Sequence, residues 1–132
     1  MKFIDQLKEK AKQNKKTIVL PETSDMRTIE AAGKVLAEGI ANIILVGDKE
    51  DIMSRAGDID LSGASFVDPK NYEKFDEYVD AFVEMRRKKG MTEARAKELL
   101  LTNPLYFGCM MVKQDDADGM VAGAINASAD VL

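Results

Sequence analysis

The sequence predicts an α/β fold, a mostly parallel sheet with helices on both faces, in three layers. Two observations predict it. The short runs Thr17-Ile18-Val19-Leu20 and Ile43-Ile44-Leu45-Val46 are apolar throughout rather than alternating, as strands covered on both faces must be. Between such runs, apolar residues recur every three or four positions, which is the period of a helix. The resulting order, α-β-α-β-α-β-α-α-α-β, is that of a sheet built from crossover helices. The 132 residues, 45% hydrophobic and 32% charged, suit a single folded α/β unit with a real core.

Each element has its own warrant. Phe3, Ile4, Leu7 and Ala11 share one face of an opening helix expected to end near Lys15-Lys16. Pro21 cannot donate to a sheet ladder, so it stops the first strand after Leu20. Thr23 or Ser24 is expected to cap the next helix, with Asp25 in its first turn. Met26, Ile29, Ala32, Val35 and Leu36 face its core side, and Gly39 ends it. The second strand, Ile43 to Val46, closes at Gly47-Asp48, and Lys49 to Arg55 read as a short helix anchored by Ile52 and Met53. A polar stretch leads to a third strand, Ala64 to Val67. Tyr72, Phe75, Tyr78, Val79, Phe82, Val83 and Met85 then mark a long helix that runs into Arg86-Arg87-Lys88-Lys89 and halts at Gly90. Thr92 caps a helix through Leu101, and Asn103-Pro104 opens another over Leu105 to Val112. After a turn over Asp115 to Gly119, a fourth strand is expected at Met120 to Ala124 and a last helix begins within Ala127 to Leu132.

Composition removes whole classes of function. A net charge of −4 lacks the surplus cation that a dedicated nucleic-acid binder needs. No apolar run approaches the ~20 residues of a membrane span, and the charged N-terminal stretch does not read as a secretory signal. The lone Cys109 permits no internal disulfide, which points to the cytoplasm. With no histidine, Ser-His-Asp triads, Cys-His pairs and His-bearing zinc sites are impossible within the chain.

Ligands of parallel sheets bind beyond the carboxyl ends of the strands, so the segments to inspect are those after Leu20, Val46, Val67 and Ala124. Pro21 to Arg27 reads either as a capped turn with a solvated Ser24–Arg27 pair or as a crevice mouth lined by Glu22, Asp25 and Arg27. Gly123 to Asp130 combines small residues with Asn126 and Ser128, suited to a phosphate or oxyanion, with Ser128 as an ordinary helix cap the alternative. Arg86 to Lys89 reads as a basic helix end or as a polyphosphate patch, since arginine forks grip phosphates. Cys109, between apolar neighbours, is expected in the core. Asp115, Asp116 and Asp118 are expected to form a solvated turn, because the loop is too short for a calcium site.

Several stretches together resemble the phosphate acetyl/butyryl transferase family, on its phosphate acetyltransferase branch. They are Ile18 to Glu22 with Asp25, Arg27 and Ala31-Ala32; Arg86 to Thr92; Asn103 to Gly108; Ala117 to Ala124; and Ser128 to Leu132. The resemblance covers the chain in order but only the N-terminal part of the family's length. It implies a fold like that of the isocitrate and isopropylmalate dehydrogenases, with two α/β domains and the active site between them. Residues 1–132 would then be part of one such domain, inactive on their own.

The implied activity is reversible acetyl transfer between coenzyme A and inorganic phosphate, giving acetyl phosphate, a step of acetate metabolism. The resemblance further implies a cytoplasmic homodimer, coenzyme A as a substrate, no cofactor and no metal in the chemical step. Arg86, with Arg87 as a neighbour able to substitute, would reach the coenzyme A phosphates. Gly123, Asn126, Ala127 and Ser128 would hold phosphate or acetyl phosphate. This chain carries Asn126 and Ala127 where many relatives carry His and Thr, which leaves the contacts at those two positions open. The family's catalytic aspartate lies beyond the matched region, so no catalytic residue is named. The alternatives are a non-catalytic ligand-binding domain of the same fold, as fused to some malic enzymes, or a phosphate butyryltransferase.

Overall fold

The computed structural model describes residues 3–122, and its elements follow the expected order. Strands β1 (Thr17–Leu20), β2 (Asn42–Val46), β3 (Ser65–Val67) and β4 (Gly119–Met120) form one sheet in the order β3-β2-β1-β4. Every neighbouring pair is parallel, with Val19 opposite Ile44 on one side and Met120 on the other. The helices are α1 (Phe3–Gln13), α2 (Met26–Glu38), α3 (Lys49–Ala56), α4 (Phe75–Met85), α5 (Glu93–Thr102) and α6 (Pro104–Lys113).

The two-residue period of a strand sorts the helices into layers. Leu20, Ile43 and Leu45 point to one face, where Ile29 and Ala32 of α2 and Ile52 and Ala56 of α3 cover them. Val19, Ile44 and Val46 point to the other, against Tyr78 and Phe82 of α4, Leu100 of α5, and Phe107, Met110 and Met111 of α6. The sheet is therefore the middle of three layers, as the unbroken apolar runs require. Each large side chain so buried contributes about 1.5–3 kcal/mol.

The expected caps hold at α5, where Thr92 accepts from the Arg95 amide, and at α6, where Asn103 accepts from Leu105 before Pro104. Elsewhere the structure corrects the sequence. The cap of α2 is Asp25, not Thr23 or Ser24: Asp25 is extended and its carboxylate accepts from the Arg27 amide. Helix α4 starts at Phe75 rather than Tyr72, because a short 3-10 turn at Pro69–Asn71 and an extended Tyr72 precede it. The basic cluster is not the tail of α4 but a separate 3-10 turn, Arg87–Lys89, after Arg86.

Met53 and Met26 are 40% and 37% exposed, so helical spacing overstated their burial. Cys109 is exposed and not in the core: α6 is apolar all round, but only the face of Phe107, Gly108, Met110 and Met111 is covered. The apolar face of α1 is likewise open, with Phe3 73% and Leu7 49% exposed, and a Lys8–Glu38 ion pair of 2.6 Å ties the helix to α2. β4 begins one residue before the expected Met120, and the Val121 amide extends its pairing to the Val19 carbonyl. The rest of the expected fourth strand and the last helix lie outside the described residues.

The aspartates before β4 are engaged rather than solvated. Asp116 accepts from Lys74 at 2.6 Å and from the buried Tyr78 hydroxyl at 2.5 Å. Asp118 accepts from the Thr17 amide at 2.7 Å, pinning the start of β4 to the start of β1. Burial alone pushes the Asp116 carboxyl up, but the hydrogen bonds from Lys74 and Tyr78 prevail and hold it below the usual carboxylate range. Burial, then the bond to Asp116, pushes the Tyr78 phenol far above its ordinary value. Among the described residues no cluster of three or more carboxylates or thiols is arranged to hold a metal ion.

Candidate functional site

From β1 the chain steps outward through β2 to β3, then returns across the opposite face and places β4 on the other side of β1. The strand order therefore reverses between β1 and β4, and a crevice opens where a parallel sheet reverses in this way. One is present there, about 140 Å³, lined by Leu20 and Glu22 after β1, Arg27, Thr28 and Ala31 of α2, and Val121 and Ala122 after β4.

Local chemistry fixes its walls. Pro21 ends β1, and the chain turns back through a Glu22 carbonyl that accepts from the Asp25 amide at 3.1 Å. The buried Thr23 hydroxyl donates to the Val46 carbonyl at 2.6 Å, and Arg55 donates to the Thr23 carbonyl at 2.8 Å. Gly47 beside it has φ +140°, and a side chain there would meet the Thr23 hydroxyl at 3.1 Å and Ile52 at 3.2 Å. The β1–α2 loop is thus bolted to β2 and α3 before any ligand arrives.

Within the crevice Glu22 is 3% exposed and Thr28 is buried as well. Arg27 grips Asp25 with Nε and Nη2, the shorter bond 2.7 Å. Those hydrogen bonds hold the Asp25 carboxyl below its ordinary range, while Asp25, and more weakly the charge of Glu22, raise Arg27. The ion pair joins Arg27 to Asp25, not to Ser24, because Asp25 is the cap and stands nearest. Of the residues expected at the mouth, Glu22 and Arg27 line the crevice and Asp25 orients Arg27 from outside it.

The other expected residues are placed elsewhere. Arg86 ends α4 half-buried, and Arg87 is exposed and paired with Glu84 at 2.5 Å. Neither lines the crevice. Gly123, Asn126, Ala127 and Ser128 lie outside the described residues. Sequence reading missed Leu20, Thr28, Ala31, Val121 and Ala122 as crevice walls. The available signal was spacing, since Thr28 and Ala31 follow Asp25 at intervals of three on one helix face.

A second hollow, about 260 Å³, lies over the carboxyl ends of β1, β2 and β3, between Pro21, Gly47, Pro69, Leu100 and Pro104. Its rim carboxylates, Asp48 and Asp68, each accept a backbone amide as helix caps.

Comparison with known proteins shows the family. A family model described as phosphate acetyl/butaryl transferase matches residues 2–132. The chain belongs to that family. It is 48% identical to the phosphate acetyltransferase of Acetivibrio thermocellus and 51% identical to that of Thermoanaerobacterium thermosaccharolyticum, each over all 132 residues. It spans 40% of the length of either relative. A phosphotransacetylase structure from Streptococcus pyogenes superposes with a TM-score of 0.83 at 34% identity, covering 99% of this chain and 41% of that one. The EutD phosphotransacetylase of Staphylococcus aureus gives 0.79 at 37%, covering 93% and 38%. Members of this phosphate acetyl/butaryl transferase family thus share its parallel sheet as well as its sequence.

Proposed function

We propose that these residues serve a phosphate acetyltransferase, moving an acetyl group reversibly between coenzyme A and inorganic phosphate. The observation that carries this is the match of the whole chain to relatives of that name at 48% and 51% identity. In the reaction a phosphate oxygen attacks the thioester carbonyl carbon, the carbon–sulfur bond breaks, and the thiolate leaves to take up a proton. Such a step needs positioned reactants and donors aimed at the developing oxyanion, which a chain without histidine can supply.

Arg86 holds a coenzyme A phosphate, with Arg87 beside it. Among the described residues Arg86 makes no ion pair, whereas Arg87 is engaged by Glu84. The loop of Gly123, Asn126, Ala127 and Ser128 holds phosphate. Glu22, Asp25 and Arg27 line the cleft. Coenzyme A is a substrate, and no cofactor is required. The α/β unit forms one wall of a two-domain cleft in a cytoplasmic homodimer.

The test is an assay of the full-length protein with acetyl-CoA, following release of the coenzyme A thiol. Release that depends on inorganic phosphate and yields acetyl phosphate supports the proposal. Tight binding of acetyl-CoA without release would overturn it in favour of a ligand-binding domain.

A further inference from the structure

We propose that Asp118 is a positioning residue: its carboxylate sets the register of β4 on β1, and with it the place of the crevice wall formed by Val121 and Ala122. This rests on the acetyl-transfer reading above and names what holds that site in shape.

β4 is only two residues long, Gly119–Met120, a short ladder to fix its own alignment. Asp118, just before it, is bonded twice to one residue of β1. Its amide donates to the Thr17 carbonyl at 2.8 Å, and its carboxylate accepts from the Thr17 amide at 2.7 Å. Both backbone groups of Thr17 are thus spent on Asp118. Asp116 ties the preceding turn to α4, whereas Asp118 ties the strand to its neighbour. Beyond the strand, the Val121 amide donates to the Val19 carbonyl at 3.1 Å, and Val121 and Ala122 line the crevice with Leu20, Glu22 and Arg27.

The alternative registers are discrete. A parallel strand advances about 3.3 Å per residue, so a slip of one position carries the carboxylate out of reach of the Thr17 amide. The same slip turns Met120 away from Gly108 and the α6 side, and turns Val121 to the opposite face. Asp118 itself is exposed, so its carboxylate adds little to the core. What it adds is alignment, and a misplacement of about 1 Å at a reacting site costs about a hundredfold in rate.

The experiment measures kcat and KM for acetyl-CoA and phosphate in the full-length protein and three variants. Melting temperature and hydrogen–deuterium exchange of residues 117–122 are followed alongside. Asp118→Ala removes the acceptor, and Thr17→Pro removes the donor, proline being tolerated at the first residue of a strand. Each is expected to lower kcat/KM about tenfold or more, with the KM of at least one substrate raised. Exchange over 117–122 is expected to quicken, while the melting temperature falls by no more than about 5 °C. Asp118→Asn, whose amide oxygen still accepts, is expected to recover most of the lost kcat/KM. If one of the first two variants fails to fold, the other carries the test. Activity within about twofold of the parent in a folded Asp118→Ala or Thr17→Pro overturns the proposal. So does a loss that appears in kcat alone and matches the unfolded fraction, or an Asp118→Asn as impaired as the alanine variant. A parent that transfers no acetyl group overturns the proposal together with the reading it rests on.

Discussion

At the scale of single residues, Gly108 shows how close the layers come. A Cβ there would lie 2.8 Å from the Met120 sulfur and 3.3 Å from two carbons of Pro21. Met120 can swing away, but Pro21 is rigid and closes the end of β1. Gly108→Ala gains about 1 kcal/mol of helix propensity in α6 and loses about 1–3 kcal/mol to overpacking. The net expectation is a melting temperature lower by several degrees, checked by calorimetry, and an unchanged or higher value would show that Pro21 can yield. Arg86 is the residue-scale test of function. Losing a charge-assisted phosphate contact costs about 1.5–3 kcal/mol, so Arg86→Ala is expected to raise KM for coenzyme A about tenfold or more and that for acetyl phosphate much less. Unchanged coenzyme A kinetics in both Arg86→Ala and Arg87→Ala would remove the assignment.

At the scale of elements, the fold depends on ties that join distant segments. Lys74 and Tyr78 reach across from the start of α4 to Asp116, and Asp118 reaches to Thr17, so β4 enters the sheet in one register. The Asp116 carboxyl is held below its ordinary value, so its stabilisation is complete above about pH 4, the unfolded carboxyl range, and fades as pH falls through the lower folded value. Asp116→Asn is expected to lower the melting temperature at pH 7 and to flatten its decline in acid, so that the two curves draw together as pH falls below the ordinary carboxylate range. Parallel curves over that range would show that Asp116 is not the group that titrates. The raised Tyr78 acts in the opposite sense: the stability held by its neutral phenol persists below about pH 10 and declines as pH rises beyond it. A second tie, the Thr23 hydroxyl on the Val46 carbonyl, locks the β1–α2 loop. Thr23→Val leaves that buried carbonyl without its partner at about 1–3 kcal/mol, expected as a lower urea midpoint with the same slope.

At the scale of the whole molecule, the described residues leave apolar surface and a strand edge open. β4 stands at the sheet edge with β1 as its neighbour, Val121 beside it is 61% exposed, and Phe3 and Leu7 face outward from α1. Unpaired strand edges and open apolar faces invite self-association. The 132-residue chain alone is expected to sediment as oligomers at micromolar concentration and to release no thiol from acetyl-CoA. A stable monomer with turnover would show that the crevice needs no second wall.

The order of elements, the three layers and the caps at Thr92 and Asn103 were legible in the sequence, because period and capping chemistry are local properties. The family was legible too, in stretches from Ile18 to Leu132 whose combination is specific, as was the placing of Glu22 and Arg27 at a crevice after the first strand. Which apolar residues would be covered was not legible. Helical spacing gives Cys109, Met53 and Leu7 the same signature as Phe107 or Ile52, and only the placement of neighbouring helices decides which face is buried. The crevice was hidden for the same reason. Leu20, Thr28, Ala31 and Ala122 are ordinary residues until parallel pairing sets β4 against β1, about a hundred positions apart in the chain, and turns their side chains toward one hollow. Local periods determine the elements, and the site exists only where long-range pairing brings their ends together.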